Sequence, residues 1–228
     1  MPTPSKNQSK FGADTAKVLL DIKAVNFRPE EPYILTSGKA SPVYIDCRKI
    51  ISFTNERRAI IDMAVQLLGE KTDLNSLDAV AGGETAGIPY AAWIAEATST
   101  PMLYVRKKPK GFGRNAQIEG DFAEGAKVLL IEDLATDGGS KLNFVNALRT
   151  AGAEVSDTFV VFFYDIFKGA LEGLTKEGVT LHYLATWQDV LDVAEKEKRF
   201  SESVIADVRE FLDDPNSWSA AHGGKVDS

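Results

Sequence analysis

Apolar and polar positions follow two rhythms along this chain. Between residues 12 and 25, Ala16, Leu19, Leu20 and Ala24 recur at helical spacing, and Val25 and Phe27 close the segment. Pro29 and Pro32 break it. The stretch 33–51, YILTSGKASPVYIDCRKII, has two short apolar pieces around a Ser-Gly-Lys turn, which predicts a hairpin. A helix is expected from an Asn55 N-cap to about Gly69, with Ile60, Ala64, Leu67 and Leu68 facing inward. The rhythm then changes. Short apolar runs at 77–81, 101–105, 128–131, 158–164 and 181–184 read as strands. Amphipathic stretches at 88–97 and 141–148 read as the helices that link them. Residues 187–198 and 201–212 read as two surface helices, and the tail after Pro215 as loose, with Trp218 able to dock. Strands alternating with helices predict an α/β fold, with a central, mostly parallel sheet flanked by helices.

The run VLLIEDLATDGGSK, residues 128–141, carries the clearest chemistry. Four apolar residues end in Glu132 and Asp133, then Leu134 and Ala135 lead to the turn Thr136-Asp137-Gly138-Gly139-Ser140. A Gly/Ser/Thr turn before a helix exposes backbone N–H groups that suit a phosphate. Acids at the carboxyl end of a strand lie where open α/β sheets bind ligands. The pattern fits a sugar phosphate, with phosphate in the turn and ribose hydroxyls or a metal on the acids. Asp137 would repel a phosphate, so its side chain is expected to point outward or bind the turn's own backbone.

A second segment, YVRKKPKGFGRNAQIEG at 104–120, packs Arg106, Lys107, Lys108, Lys110 and Arg114 together without an acid among them. Gly111 and Gly113 make it pliant. It leaves a strand end on the same sheet edge as the phosphate turn. A mobile cationic lid over a polyanionic leaving group is therefore expected.

Composition narrows the choice. A net charge of −7 argues against a general nucleic-acid binder, which needs a basic face. With one cysteine, Cys47, and two histidines, a His/Cys metal site or Cys-His catalysis is not expected. The start MPTPSKNQSK has no signal-peptide character, and the apolar run at 159–164 is too short to span a bilayer. A cytoplasmic protein with no membrane or nucleic-acid partner is the expectation.

The 128–141 segment resembles the phosphoribosyl-pyrophosphate (PRPP) signature of the type I phosphoribosyltransferases. The order Arg106-Lys107-x-x-Lys110, glycines, then Ile118-Glu119-Gly120 is similar to the catalytic loop of the orotate phosphoribosyltransferases. LTSGKASPVYIDCR resembles that family's N-terminal signature, and with GGETAGIP the likeness spans most of residues 12–165. The resemblance implies a type I phosphoribosyltransferase fold with a small N-terminal hood. The hood would cover about 12–54, the core 55–185 and C-terminal helices 187–212, between a flexible lead at 1–11 and a tail at 214–228. It implies transfer of phosphoribosyl from PRPP to orotate, in pyrimidine biosynthesis, with Mg2+ as cofactor. Arg106, Lys107, Lys110 and Asp133 would carry catalysis. PRPP would meet Glu132, Asp133, Thr136, Asp137, Gly138, Gly139, Ser140, Thr85 and Ala86. Orotate would meet Ser37, Gly38, Lys39, Tyr44 and Thr136. Magnesium would be held mainly through substrate, near Glu132 and Asp133. The resemblance also implies a homodimer whose lids cross to the neighbouring subunit's site. Another base phosphoribosyltransferase, or a PRPP-sensing regulator without catalysis, are the alternatives.

Several positions depart from the family pattern. Phe112 stands where the lid often has His, and Thr36 where Lys is common before Ser-Gly. Glu84-Thr85-Ala86 replaces a Tyr-Lys pair, so one pyrophosphate cation is missing, for which Lys39 or Lys108 would compensate. Ile166 and Phe167, followed by Lys168, occupy the place of an Arg that binds the orotate carboxylate. Lys39, Lys168 or backbone amides at 43–45 are the remaining candidates for that group.

Overall fold

A computed structural model describes residues 6–35, 37–111, 117–136, 138–167 and 169–225. The chain divides into two compact units, one of residues 51–184 and one of residues 1–50 with 185–228. In chain order the elements are α1 (Lys6–Asp21), β1 (Val25–Phe27), β2 (Tyr33–Ile34), β3 (Ala40–Ser41), β4 (Val43–Ile45), α2 (Thr54–Lys71), β5 (Ala79–Gly83), α3 (Gly87–Thr98), β6 (Met102–Val105), β7 (Ile118–Glu119), β8 (Val128–Ala135), α4 (Gly139–Thr150), β9 (Asp157–Phe163), α5 (Ala170–Lys176), β10 (Thr180–Thr186), α6 (Trp187–Lys196), α7 (Glu202–Asp213) and α8 (Pro215–Ala221).

The six-stranded sheet has the order β10-β9-β8-β5-β6-β7. β5 runs parallel to both β6 and β8, and β8 parallel to β9, while β7 turns back antiparallel on β6. β8 and β9 lie inside the sheet and are buried along most of their length, which is why their sequences read as nearly unbroken apolar runs. Leu130, Val160 and Phe163 join Val145 and Leu148 of α4 in one core cluster. From β5 the chain moves to one side of the sheet for β6, and later to the other side for β8 and β9. The switch point of the topology is therefore the gap between β5 and β8, and ligands of open α/β sheets bind outside the strand ends at such a gap.

The other unit is built from α1 packed on α6, two small antiparallel pairs, and α7 with α8. Phe27 packs against Trp187 and Phe200, with ring centroids 6.1 and 4.5 Å away. α6 opens with a capping box between Thr186 and Asp189.

Four local expectations change. Val25 to Phe27 do not extend the first helix but form β1, paired with β4. β-Branched Val25 and aromatic Phe27 suit a strand, and cross-strand pairing overrides the helical rhythm. The Ser-Gly-Lys hairpin is present as β2 against β3, yet β4 pairs away from it. α2 starts at Thr54, and Asn55 lies inside its first turn rather than capping it; Phe53 is the N-cap and gives no side-chain bond. The tail after Asp214 is helical over Pro215–Ala221, with Asp214 accepting from Ser217 N and Pro215 at the first position.

Candidate active site

The loops leaving β5 and β8 flank the switch point. After β5 the chain folds back so tightly that its glycines have no room for a side chain. A Cβ on Gly82 would lie 2.7 Å from Ile88 Cα. One on Gly83 would strike Glu132 Oε1 and come within 2.9 Å of Phe144, and one on Gly87 would strike the Ile131 carbonyl oxygen. After β8, Gly138 adopts φ +83°, the left-handed conformation that glycine takes without a Cβ penalty. α3 and α4 then begin on Ala86 and Gly138, and neither residue supplies a side-chain cap. Neither helix has an acid in its first turn. Two helix N-termini without side-chain caps therefore open on the strand ends that flank one gap, an arrangement that favours anions.

β8 continues through both acids to Ala135, four residues beyond the apolar run. Its register with β9 holds at Glu132↔Val160 and Leu134↔Phe162. Successive strand side chains alternate faces, so Glu132 and Asp133 point to opposite sides. Glu132 turns inward and is only 8% exposed. Its Oε2 accepts from Lys141 Nζ at 3.2 Å, and Lys141, in the first turn of α4, is 3% exposed. Glu132 Oε1 is buried and has no hydrogen-bond partner among the described residues, facing Gly83 and Gly87. Burial pushes the Glu132 carboxyl up to about 7; Lys141 pulls it back, Asp133 raises it further, and Lys107 lowers it slightly. Asp133 and Thr136 are half-buried at the strand end. Gly138 and Gly139 form the start of α4. Asp137, and the side chain of Ser140, lie outside the described residues.

The cationic segment is the connection of a strand pair, β6 to β7. Arg106 N donates to Gln117 O at 2.8 Å, and Gln117 Nε2 donates to Arg106 O at 2.9 Å, which closes its base. Lys107 N donates to Glu84 Oε2 at 2.7 Å, tying that base to the β5 loop. Glu119 Oε1 accepts from Arg106 Nη1 at 3.0 Å and lies 3.7 Å from Lys110 Nζ. Lys110 is 70% exposed. The structure thus brings Arg106, Lys107, Glu132 and the 84–86 loop together, and Thr85 and Ala86 lie in the turn that starts α3. Phe112 and Arg114 lie outside the described residues, as do Thr36 and Lys168. Near the place expected for a carboxylate-binding Arg, the Phe167 ring stacks on Tyr164, 6.4 Å between centroids.

Ser37, Gly38, Lys39 and Tyr44 belong to the unit of residues 1–50 and 185–228. Gly38 takes φ +86° in the β2–β3 turn, Lys39 Nζ donates to Asn216 Oδ1 at 3.0 Å, and Tyr44 packs on Tyr33.

Glu84, Glu119 and Lys141 have roles here that the sequence motifs do not assign to them. Glu119 carried a signal, an acid closing a cationic run. Lys141 carried none, because a buried lysine looks like any other polar residue in a helix's first turn. Among the described residues, no group of three or more His, Cys, Asp or Glu is placed to hold a metal ion. No described helix is long and apolar enough to cross a membrane.

A sheet flanked by helices, with two helix N-termini opening on its switch point, an acid-bearing central strand and a cationic hairpin, defines the class: a type I phosphoribosyltransferase. No protein-family model matches the chain. It is 53% identical over 209 residues to the orotate phosphoribosyltransferase of Sinorhizobium medicae, covering 92% of this chain and 90% of that one. Among solved structures it resembles the orotate phosphoribosyltransferase of Aeropyrum pernix, with 33% identity, a TM-score of 0.66, and 81% and 99% of the two chains covered. It also resembles the UMP synthase of Leishmania donovani, with 30% identity and a TM-score of 0.74. That match covers 88% of this chain but only 42% of the synthase. The chain belongs to the orotate phosphoribosyltransferase family.

Proposed function

We propose that this protein transfers the phosphoribosyl group of PRPP to orotate, giving orotidine 5′-monophosphate and pyrophosphate in pyrimidine biosynthesis. One observation carries the reading: the β5 and β8 loops open two helix N-termini without side-chain caps on a single gap, beside the β6–β7 connection that carries Arg106, Lys107, Lys108 and Lys110. A substrate with a phosphate at one end and a pyrophosphate at the other matches that layout.

The turn from Thr136 to Ser140 takes the 5′-phosphate and fixes the ribose, so binding energy far from the reacting carbon orients it. Asp133 faces the ribose hydroxyls. Orotate's ring nitrogen forms the new bond to the anomeric carbon as the carbon–oxygen bond to pyrophosphate breaks, and the bonding electrons leave with pyrophosphate. Arg106, Lys107 and Lys110 meet the negative charge that grows there, with Thr85 and Ala86 supplying backbone contacts. Their effect is large only when water is excluded, which also spares PRPP from hydrolysis. Ser37, Gly38, Lys39 and Tyr44 carry the orotate side.

Magnesium fits this donor set as a substrate-borne ion. Mg2+ binds through one or two carboxylates plus phosphate oxygens and keeps several waters; Asp133 at the strand end would offer one carboxylate, with Glu132 held behind it by Lys141. When bound, it would neutralise pyrophosphate oxygens as a Lewis acid. The protein works as a homodimer whose lid serves the neighbouring subunit's site, and it acts as a soluble cytoplasmic enzyme.

Titration calorimetry of PRPP with magnesium present tests the core of the reading; absence of heat would sink it. A panel of bases, scored by pyrophosphate release, should single out orotate. Mixing a Lys110→Ala subunit with an Asp133→Ala subunit should restore part of the activity that each lacks alone. If the mixture stays inactive, the lid does not cross between subunits.

A further inference from the structure

The last described residues of the chain are fastened to the turn that the proposed function assigns to orotate. Asp214 and Pro215 start α8, and Trp218 seats it, packing edge-on against Phe211 with centroids 5.5 Å apart and stacking on His222 at 3.6 Å. From that anchor three bonds reach the β2–β3 turn. Ser219 Oγ accepts from Ala40 N at 2.9 Å, Asn216 Oδ1 accepts from Lys39 Nζ at 3.0 Å, and Lys225 N donates to Gly38 O at 2.8 Å. Ser219 and Ala40 are 0% and 1% exposed, so water does not replace the first bond. The packing is close on both sides. A Cβ on Gly38 would meet the Lys225 side chain at 2.6 Å, and one on Gly224 would strike Ser219 Oγ and Ala40 N.

A five-residue connection between strands of two residues each has little rigidity of its own. Its shape is set by what is packed against it. We propose that residues 214–225 form a strap that fixes the Ser37–Lys39 turn in its base-binding conformation, with Ser219 as the central positioning residue. The proposal rests on the orotate reading above and adds to it where orotate affinity is set. Because all three bonds end on residues 38–40, loosening the strap affects the base rather than the phosphoribosyl donor.

Steady-state kinetics of Ser219→Ala, Gly224→Val and a chain ended after Asp213 test this. The alanine variant leaves the Ala40 N–H buried and unpaired, and should raise KM for orotate roughly tenfold while KM for PRPP and kcat change less than about twofold. Hydrogen exchange in Ser219→Ala should speed up at the Ala40 amide and stay slow at Leu130 in the sheet core, which separates a loosened turn from a failed fold. An unchanged orotate KM in folded variants overturns the strap, as does a PRPP KM that rises in step. If the wild-type protein releases no pyrophosphate from orotate and PRPP, the activity reading fails by itself. The Ala40 exchange then still decides whether the strap holds the turn.

Discussion

The end of the sheet where the β5 and β8 loops emerge and the β2–β3 turn are stabilised in opposite ways. At the sheet end, backbone meets backbone. Gly82, Gly83 and Gly87 let the β5 loop lie against β8 without an intervening side chain, and a single buried ion pair, Glu132 with Lys141, fills what space is left. At the turn, short strands are held by side-chain and end-of-chain bonds from residues nearly 180 positions away. The first arrangement is rigid and cannot be altered in small steps. The second can be retuned through residues that touch no ligand. On the proposed function, the part that would take the phosphoribosyl group is the rigid one and the part that would take the base is the tunable one.

The comparison is broken most severely at the ion pair. Above about pH 7, where Glu132 is ionised, Lys141→Met should leave its carboxylate buried without a partner and cost about 3–5 kcal/mol of stability. Adding Glu132→Gln should return much of that, as read by denaturant unfolding. If the single variant is as stable as wild type, the pair does not organise the sheet end.

The lid comes next. Lys110→Ala should lower kcat by about 100-fold or more with the orotate dissociation constant unchanged, because its charge is needed only as pyrophosphate departs. Equal loss in binding and turnover would assign Lys110 to ground-state recognition instead.

A pH series sharpens the contrast. Glu132 is raised by burial from its ordinary value of 4.5 to about 7, so the folded state holds a proton there that the unfolded state has released. That contribution is fully present below about pH 4.5 and is lost as pH rises to about 7, on the order of 3 kcal/mol. Glu132→Gln should therefore gain stability relative to wild type across that window and hold a constant difference above it. Parallel curves throughout would mean that Glu132 is ionised at all these pH values.

The smallest effect concerns packing. Gly87→Ala should destabilise by about 1–3 kcal/mol and weaken PRPP binding, since its methyl would press on the Ile131 carbonyl. Gly173→Ala, at a helical position with nothing within 4 Å, is the matched control and should be neutral or better. Equal behaviour of the two would remove the argument from tight backbone approach.

Much of the sheet end is legible in the sequence because its rules are local. Runs such as Val128–Ile131 and Thr158–Tyr164 announce strands buried on both faces, and a glycine turn before a helix announces an anion site. The outward or inward sense of Glu132 is not legible, because it depends on where β8 ends. Pairing of Leu134 with Phe162 carries the strand past both acids and turns Glu132 inside. Lys141 is hidden for the same reason: nothing in its neighbours says that an acid waits beneath it. Around the turn, β2 and β3 can be read from the Ser-Gly-Lys signal, but the choice of β4 to pair with β1 cannot. The docking of Trp218 is foreseeable from its size, while the bond from Ala40 to Ser219 joins segments with no shared local pattern.

That last bond also orders events during synthesis. Translation delivers residue 40 long before residue 219, so the Ala40 amide emerges from the ribosome with its acceptor still unmade. The six-stranded sheet, complete once β10 ends at Thr186, has no such wait. A nascent chain can therefore form the sheet while the β2–β3 turn is still unfinished, and the turn takes its final shape only when residues 214–225 arrive.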